Sequence, residues 1–322
     1  MKAIVRKTYG DHTVLSLQHV DKPAPEVDQL LIKIKAVSIN GMDWRLLGGK
    51  PYLIRLMGIG VFEPKVKILG FNIAGVVEAA GANISEFKIG DEVFGSCSGG
   101  GFAEFVCASE KALVLKPKNV TFEQAAAVPT AALTALQGLR NAGDIRAGQN
   151  VLIHGASGGV GSFAVQIAKY FGANVTAVCS TRNVEIARQS GADRIIDYTK
   201  EDFAESGQRY DLIFGINGNR SIYEYKAALT PKGTYIAAGG SGAKQLFQPM
   251  LLGRFVSEKD GRQLSSMPTA RIVKEDLLLL TQMLESGAIN PVIDDCYPLE
   301  KTPDAFRYLE ERHAKGKVVI VP

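Results

Sequence analysis

Cysteine is scarce in this chain, and long apolar runs are absent. The four cysteines form no Cys-x-x-Cys pair and show no His/Cys ligand spacing, which argues against a disulfide framework and a structural zinc cluster. No apolar stretch approaches the length needed to span a bilayer. The chain opens directly on a predicted strand, Lys2 to Arg6, rather than on a signal peptide. These features predict a protein of the reducing cytoplasm with no membrane span.

A large excess of charge of one sign is also lacking. The 322 residues carry a net charge of +4 and no block of Lys and Arg of the kind that follows a nucleic-acid backbone. A nucleic acid is therefore not an expected partner. With 46% hydrophobic and 22% charged residues, the chain is long and apolar enough to form two folded domains.

The most informative stretch is a strand that runs into a glycine turn and then into a helix, from Val151 to Phe171. Glycines in the turn permit a close approach of helix to strand, and the helix N-terminus presents unpaired N–H groups to a pyrophosphate. A second buried strand, Asn174 to Cys179, completes a βαβ unit. The pattern predicts a dinucleotide site, with a tight turn that binds nothing as the alternative. The predicted contacts are Ala156, which stands where the usual first glycine would be, and Ser157, Gly158, Gly159, Val160 and Gly161.

The residues after the second strand indicate which dinucleotide binds. An NAD site usually places Asp or Glu at that strand end to bind the ribose 2′-hydroxyl. This chain has Cys179-Ser180-Thr181-Arg182-Asn183 there, with one guanidinium and no acid. The 2′-phosphate of NADP suits such a strand end better. We therefore predict NADPH as the cofactor, with Ser180 and Arg182 among its contacts; the alternative is that Arg182 is only a solvated surface residue.

Secondary-structure patterns divide the chain into two domains. The first 122 residues contain short predicted strands broken by Gly, Pro, Asp and Asn, which indicates a β-rich, barrel-like domain. From residue 123 to 262 the pattern becomes helical segments and short buried strands, which is typical of a doubly wound parallel sheet. The tail ends in a predicted strand, Lys317 to Val321, which we expect to return to the first domain. The predicted fold is α/β, with a discontinuous catalytic domain of residues 1–122 and 263–322 and a Rossmann nucleotide-binding domain of residues 123–262.

The order of these parts resembles the medium-chain dehydrogenase/reductase superfamily. The segments that carry the resemblance are 1–5, 38–45 (Ser-Ile-Asn-Gly-Met-Asp-Trp-Arg), 70–78, 90–95, the glycine turn and 316–320. Within the superfamily the chain is similar to the zinc-free quinone oxidoreductase branch, which includes zeta-crystallin-like and chloroplast enone reductase-like proteins. The resemblance covers essentially the whole chain and implies a GroES-like catalytic domain.

Departures from the zinc-dependent members are equally informative. Those enzymes have a cysteine near the position of Asn40 and a His-Glu pair directly after the glycine equivalent to Gly70, where this chain has Phe71-Asn72. The cysteine-rich structural zinc lobe is also missing from residues 94–106. We therefore expect no metal site. A nicotinamide can still deliver hydride to an acceptor whose conjugation stabilises the developing charge, so the resemblance implies an NADPH-dependent reductase of quinones or α,β-unsaturated carbonyls.

The resemblance also suggests individual site residues. It makes Asn40 and Asp43 candidate catalytic residues in the cleft between the domains, and it places Thr134 at the nicotinamide and Tyr198 against the adenosine phosphate or ribose. Each has a structural alternative: Asn40 as a turn cap, Asp43 as the start of a helix, and Tyr198 as a packing residue.

Three further candidates follow from position. Tyr52 lies in an insertion-like segment, residues 50–67, which is predicted to form a lid, and its hydroxyl is a candidate proton donor. Gly239 and Gly240 follow the strand predicted nearest the nicotinamide, where the missing side chains permit a close approach of the ring, or else form an ordinary turn. Lys317 is predicted either to reach the cleft, where it would contact the cofactor, or to cover the terminal strand.

Two other functions are also compatible with the sequence. The chain could be a catalytically silent NADPH-binding protein with a structural or sensing role, which predicts cofactor binding without turnover. RNA binding across the nucleotide cleft predicts an affinity that falls steeply with salt, and the lack of a basic stripe argues against it. The resemblance makes a homodimer through the sheet edge of the nucleotide domain a reasonable expectation.

Overall fold

A computed structural model describes residues 1–52, 55–216, 218, 220–238, 261–311 and 314–322. The chain divides into two compact units, each built from more than one segment. Unit 1 comprises Met1–Thr130, Ile272–Glu285 and Ile293–Pro322. Unit 2 comprises Ala131–Arg271 and Ser286–Val292.

Unit 1 is built mainly on antiparallel strand pairs; the strands Ile293–Pro298 and Lys317–Val321 pair in parallel. Its hairpin pairs the first two strands, and among the described residues its larger sheet has the order β14-β15-β3-β4-β5-β7, with β6 also paired to β3. The last strand pairs with β3 through Val319 opposite Ser38, so the tail returns to the first part of the chain and the predicted discontinuous fold is confirmed. The strands are β1 (Lys2–Arg6), β2 (Leu15–His19), β3 (Gln29–Ser38), β4 (Asn72–Ala80), β5 (Glu92–Ser96), β6 (Phe105–Ser109), β7 (Leu113–Leu115), β14 (Ile293–Pro298) and β15 (Lys317–Val321).

Alternating apolar residues on β3 build the core of unit 1. Leu30, Ile32 and Ile34 are buried in one cluster, and Phe102 packs edge-on against Phe306 with ring centroids 5.8 Å apart. The helices of unit 1 are α1 (Gly41–Gly48), α2 (Phe122–Ala127), α7 (Lys274–Glu285) and α8 (Thr302–Glu310).

Unit 2 contains a parallel sheet whose described strands have the order β10-β9-β8-β11-β12-β13. This order is that of a doubly wound dinucleotide-binding sheet, in which ligands bind beyond the carboxyl ends of the strands. The predicted Rossmann arrangement is therefore confirmed. The strands are β8 (Asn150–His154), β9 (Asn174–Cys179), β10 (Arg194–Asp197), β11 (Tyr210–Gly215), β12 (Leu229–Ala237) and β13 (Gln263–Ser266).

The remaining described helices are α3 (Pro129–Gln137), α4 (Gly159–Tyr170), α5 (Val184–Gln189) and α6 (Ile222–Ala228). The helix after the glycine turn, α4, is buried along its whole middle, from Gly161 to Ala168, and packs against β8 and β9. None of the helices described in either unit is both long and apolar enough to cross a membrane.

The boundaries of the units differ from the predicted domain boundaries. Residues 123–127 of α2, expected in the nucleotide domain, contact β3 and β4 of unit 1. Strand β13, expected in the catalytic domain, pairs in parallel with β12 and extends the sheet of unit 2. The segment Ser286–Val292 also belongs to unit 2, where the Asn290 backbone exchanges hydrogen bonds with the Gln166 side chain. In each case, contacts with residues that are distant in the sequence place the segment in its unit.

Candidate functional site

The glycine turn of unit 2 joins β8 to α4. Gly155 follows the strand with φ of +90°, and α4 begins at Gly159 with Gly158 as its N-cap. A Cβ atom on Gly161 would lie 2.0 Å from the carbonyl oxygen of Gly155. Glycine at position 161 is therefore required for the helix to approach the turn this closely.

Among the described residues, no packing contact like that at position 161 requires glycine at position 158. A Cβ atom there would be 3.9 Å from the nearest atom of another described residue outside its chain neighbours, the Gly155 oxygen, and the φ of Gly158 is −77°. Open space at the N-cap of a twelve-residue helix suits a phosphate group, because the N–H groups of the first turn point toward it. Ala156 is fully buried, so the usual first glycine is dispensable here: the left-handed conformation is taken one residue earlier, at Gly155.

Hydrogen bonds connect the turn to the end of β9. The Asn183 amide donates to Ser157 Oγ at 2.9 Å, and both residues are buried. Asn183 Oδ1 is buried and has no hydrogen-bond partner among the described residues. A buried acceptor without a partner is costly, so a ligand hydroxyl at this edge would stabilise it. The residues of the turn thus fit a dinucleotide.

Asp197, at the end of β10, was not predicted as a site residue. The Thr181 hydroxyl donates to its Oδ2 at 2.5 Å, and the Thr199 backbone and hydroxyl donate to its Oδ1 at 3.1 and 2.8 Å. Led by the Thr181 hydrogen bond, these interactions lower the pKa of Asp197 to about 2. The usual acid of an NAD site directly follows β9, whereas this one comes from the neighbouring parallel strand. Its place at the end of an apolar strand was the available signal.

Three predicted cofactor contacts gather at the ends of β9 and β10. Ser180 is the N-cap of the 3-10 turn Thr181–Asn183, on which Arg182 is exposed. Tyr198 directly follows β10; its backbone donates to the Cys179 carbonyl at 3.0 Å and the residue is 55% exposed. Thr134 is half-buried on α3, and Gly239 and Gly240 lie outside the described residues. Their cofactor roles stay predictions.

In unit 1, Asn40 joins a buried polar network. Its Nδ2 donates to Asn72 Oδ1 at 2.8 Å and to the Ser38 carbonyl at 3.0 Å. Asn72 is 1% exposed; its Nδ2 donates to Ser96 Oγ at 2.9 Å, and its Oδ1 also accepts the Thr130 backbone N–H at 3.1 Å. Asn72 was noted only as a departure from the zinc enzymes. The structure makes it a direct partner of Asn40.

Asp43 is fully buried in the first turn of α1. Its Oδ2 accepts the Asn40 backbone N–H at 2.9 Å, and its Oδ1 accepts the Gly70 N–H at 2.9 Å. Burial raises the pKa of this carboxyl to about 6, against the opposing effect of the two backbone donors. The structure therefore gives Asp43 the helix-capping role named as its alternative, and its catalytic role stays a prediction.

Lys317 lies in the same network, and its role as a cofactor contact stays a prediction. Its side chain is buried, and Nζ donates to Asn40 Oδ1 at 2.5 Å and to the Ile39 carbonyl at 3.0 Å. Burial lowers its pKa to about 8, while the nearby charge of Asp43 acts in the opposite direction. The ammonium is thus committed to orienting Asn40.

Tyr52, the candidate proton donor, is 67% exposed. The Arg55 guanidinium lies 4.7 Å from its ring centroid and 4.1 Å from that of Tyr9. These three residues and Trp44 line a cavity of about 470 Å³ within unit 1. The aromatic walls could accept a flat apolar molecule, but no contact fixes the direction of the hydroxyl, so its role as proton donor stays a prediction.

No group of three or more His, Cys, Asp or Glu side chains in the described part of the chain is arranged to hold a metal ion. The four cysteines are free thiols. Burial raises the pKa of the Cys97 thiol, which is adjacent to β5, to about 12.

Family models match both parts of the chain. A model described as the GroES-like domain of alcohol dehydrogenase matches residues 26–118, and one described as zinc-binding dehydrogenase matches residues 190–320. The first match covers most strands of the largely antiparallel sheet of unit 1. The second match covers residues of both units.

Full-length relatives are similar over the whole chain. An NADPH-dependent alkenal/one oxidoreductase of Arabidopsis thaliana is 35% identical over all of this chain and 80% of its own length. A 2-methylene-furan-3-one reductase of Solanum lycopersicum is 36% identical over all of this chain and 79% of its own length. Among solved structures, the quinone oxidoreductase from Coxiella burnetii aligns with a TM-score of 0.87 and 28% identity, covering all of this chain and 99% of that one.

Proposed function

Because the chain belongs to the medium-chain dehydrogenase/reductase superfamily, in its zinc-free quinone oxidoreductase branch, we propose that it is an NADPH-dependent reductase of quinones and α,β-unsaturated carbonyls. The observation that carries this proposal is the glycine turn at the carboxyl end of β8, where Gly161 lets α4 approach and Gly158 leaves space for a phosphate. The names of the relatives supply the acceptor class.

The turn residues would hold the cofactor. The N–H groups of the first turn of α4 would bind the pyrophosphate, and Ser157 is held in place for this by Asn183. We assign Ser180, Arg182 and Tyr198 to the adenosine end, and Thr134, Gly239 and Gly240 to the nicotinamide end. NADPH, when bound, supplies a hydride.

The acceptor itself supplies part of the chemistry. Conjugation in a quinone or enone spreads the charge that hydride addition creates, so the protein needs chiefly to position the acceptor, exclude water and stabilise the developing oxyanion. The polar network of Asn40, Asn72 and Lys317 in unit 1 is the candidate for that last task, with Asn72 as the donor and Lys317 hydrogen-bonded to Asn40.

NADPH oxidation followed at 340 nm tests the proposal. Purified protein, treated with a chelator, is offered a benzoquinone, a naphthoquinone, an unbranched enone, an enal and a saturated aldehyde. We expect turnover with the conjugated acceptors and none with the saturated aldehyde. NADPH binding with no turnover on any acceptor would contradict the proposal and favour a structural or sensing role.

We propose further that the enzyme works in the cytoplasm and forms a homodimer through the sheet edge of the nucleotide-binding domain. The free thiols support a reducing compartment, and β10 and β13 are the two end strands of the described part of the parallel sheet. Two relatives from Arabidopsis thaliana carry the chloroplast in their names. Subcellular fractionation tests the location; light scattering tests the dimer, and a monomeric mass would contradict it.

A further inference from the structure

The polar network of unit 1 has a buried positive charge at one end. Lys317 Nζ contacts Asn40 Oδ1 at 2.5 Å and the Ile39 carbonyl at 3.0 Å, and the residue is only 5% exposed. Burying an ammonium is costly, and an apolar side chain of similar size would serve stability at least as well. The position therefore calls for a reason other than stability.

The hydrogen-bonding capacity of Asn40 shows how this charge acts. Both N–H groups of Asn40 are directed at protein acceptors, Asn72 Oδ1 and the Ser38 carbonyl, and its oxygen accepts from Lys317. A side-chain amide has only two N–H groups, so Asn40 has none left to donate to a substrate oxygen. Asn40 instead transmits polarisation from the ammonium to Asn72, because bonds in such a chain strengthen one another.

At the far end of this series, Asn72 has a second amide N–H that no hydrogen bond within the described part of the chain engages. One N–H of its amide is donated to Ser96 Oγ, whereas its oxygen accepts from both Asn40 and the Thr130 backbone. Two hydrogen bonds on the oxygen fix the amide plane and increase the acidity of the remaining N–H. Lys317, Asn40 and Asn72 thus form one directed series of donors.

We propose that Lys317 is a positioning residue of the reductase, which fixes Asn40 and, through it, polarises Asn72 so that the network stabilises negative charge on the carbonyl oxygen of the acceptor. The inference rests on the proposed function. In the step concerned, a hydride adds to the acceptor, the carbonyl oxygen gains negative charge, and water or a protein acid later supplies one proton. Lys317 forms and breaks no covalent bond and keeps its protons throughout.

The charge state of Lys317 gives this role a pH dependence. Asp43 is the charged side chain that faces it, and burial of the ammonium outweighs the effect of Asp43 and lowers the pKa of Lys317 to about 8. The ammonium is therefore charged near neutral pH and becomes neutral above pH 8. Because the polarisation needs the charge, we expect kcat to fall above that pH.

Two substitutions at position 317 separate charge from shape. In Lys317→Met, we expect kcat to fall 10- to 100-fold at pH 7, with the decline above pH 8 absent and the Kd for NADPH within twofold of wild type. In Lys317→Arg, the guanidinium stays charged, so activity is partly retained and the decline above pH 8 is also absent. Lys315→Met, an exposed lysine two residues away, is the matched control and retains both kcat and the decline.

A double-mutant cycle tests whether Lys317 acts through Asn40. The loss of kcat in Lys317→Met combined with Asn40→Ala should be no larger than the larger single loss, because both substitutions break the same chain of hydrogen bonds. Multiplicative losses would overturn that part of the inference.

A readout independent of turnover completes the test. Unfolding in urea between pH 8 and 10.5 should show the wild type gaining stability relative to Lys317→Met, because the folded state releases the Lys317 proton first. If Lys317→Met does not fold, Lys317→Arg alone decides through its alkaline profile. Folded variants with kcat within twofold of wild type and an unchanged alkaline decline would overturn the inference. A wild type inactive on every acceptor would instead overturn the proposed function.

Discussion

At the scale of single residues, Arg182 is predicted to make the protein prefer NADPH over NADH. It lies exposed on the turn Thr181–Asn183 beside Ser180 and near the end of β10. If its guanidinium binds the 2′-phosphate, Arg182→Ala should weaken NADPH binding by about 1–3 kcal/mol and leave NADH binding nearly unchanged. Calorimetric titration of both cofactors measures this, with Arg188→Ala on α5 as the control. Equal losses for NADPH and NADH would remove the assigned role.

Asp197 holds that same turn in place. Its carboxylate accepts from Thr181 and Thr199, and the pKa of about 2 lies below the ordinary value for Asp. A lowered folded-state pKa contributes stability that is present above about pH 4 and is lost as the pH falls through 2. We therefore expect Asp197→Asn to lower the thermal midpoint at pH 7 and to differ less from wild type at pH 3. A difference that does not shrink with acid would contradict this electrostatic role.

Two glycines of one turn have separable roles at the scale of the β8–α4 element. Gly161→Ala places a methyl group 2.0 Å from the Gly155 oxygen, so the helix must move and the protein should lose stability. Gly158→Ala places a methyl group in open space, so stability should change by no more than about 1 kcal/mol. That methyl would occupy the space left for a phosphate, so NADPH affinity should fall at least about tenfold, or about 1.4 kcal/mol. Thermal unfolding and cofactor titration of both variants check this pair, and wild-type affinity in Gly158→Ala would refute the phosphate site.

Elements whose evidence is local were predicted well from the sequence. The strand, glycine turn, helix and second strand of the βαβ unit follow from hydrophobic periodicity and glycine placement, which depend on neighbours in the chain. The difference between the unit boundaries and the predicted domain boundaries at α2 and β13 has the opposite cause. Those elements are placed by contacts with β3, β4 and β12, which local patterns do not encode.

The candidate site shows the same division. Asn40 and Asp43 were found by their resemblance to a family motif, but their hydrogen bonds were not. The partner of Asn40 is Asn72, 32 residues away, and that of Lys317 is 277 residues away. Asp197 was missed because parallel strands bring together residues that are distant in sequence. Residue types at a site are thus predictable from sequence, whereas the choice of which donor meets which acceptor depends on the tertiary fold.

At the scale of the whole molecule, one buried titratable group in each unit makes stability depend on acid. The two groups change stability in opposite directions. In unit 2, the Tyr225 hydroxyl lies 2.8 Å from His154 Nδ1, and burial lowers the pKa of His154 to about 4, with Arg220 lowering it further and Asp202 opposing. Such a histidine is neutral in the fold and charged when unfolded, so its contribution is lost as the pH falls from about 6.5 through 4. The difference between the folded and unfolded pKa values corresponds to a loss of about 3 kcal/mol in the free energy of unfolding.

Asp43 in unit 1 has the reverse effect. Its pKa is raised to about 6, so the folded state binds a proton before the unfolded state does, and this group adds stability as the pH falls from 6 toward 4, again by about 3 kcal/mol. We therefore expect unit 2 to unfold before unit 1 on acidification to pH 4.5. Hydrogen exchange resolved by segment measures this order. His154→Gln should remove most of the acid sensitivity of unit 2, and Asp43→Asn should remove the acid gain of unit 1. A single transition, with both variants following the wild-type pH profile, would show that these two groups do not govern the acid response.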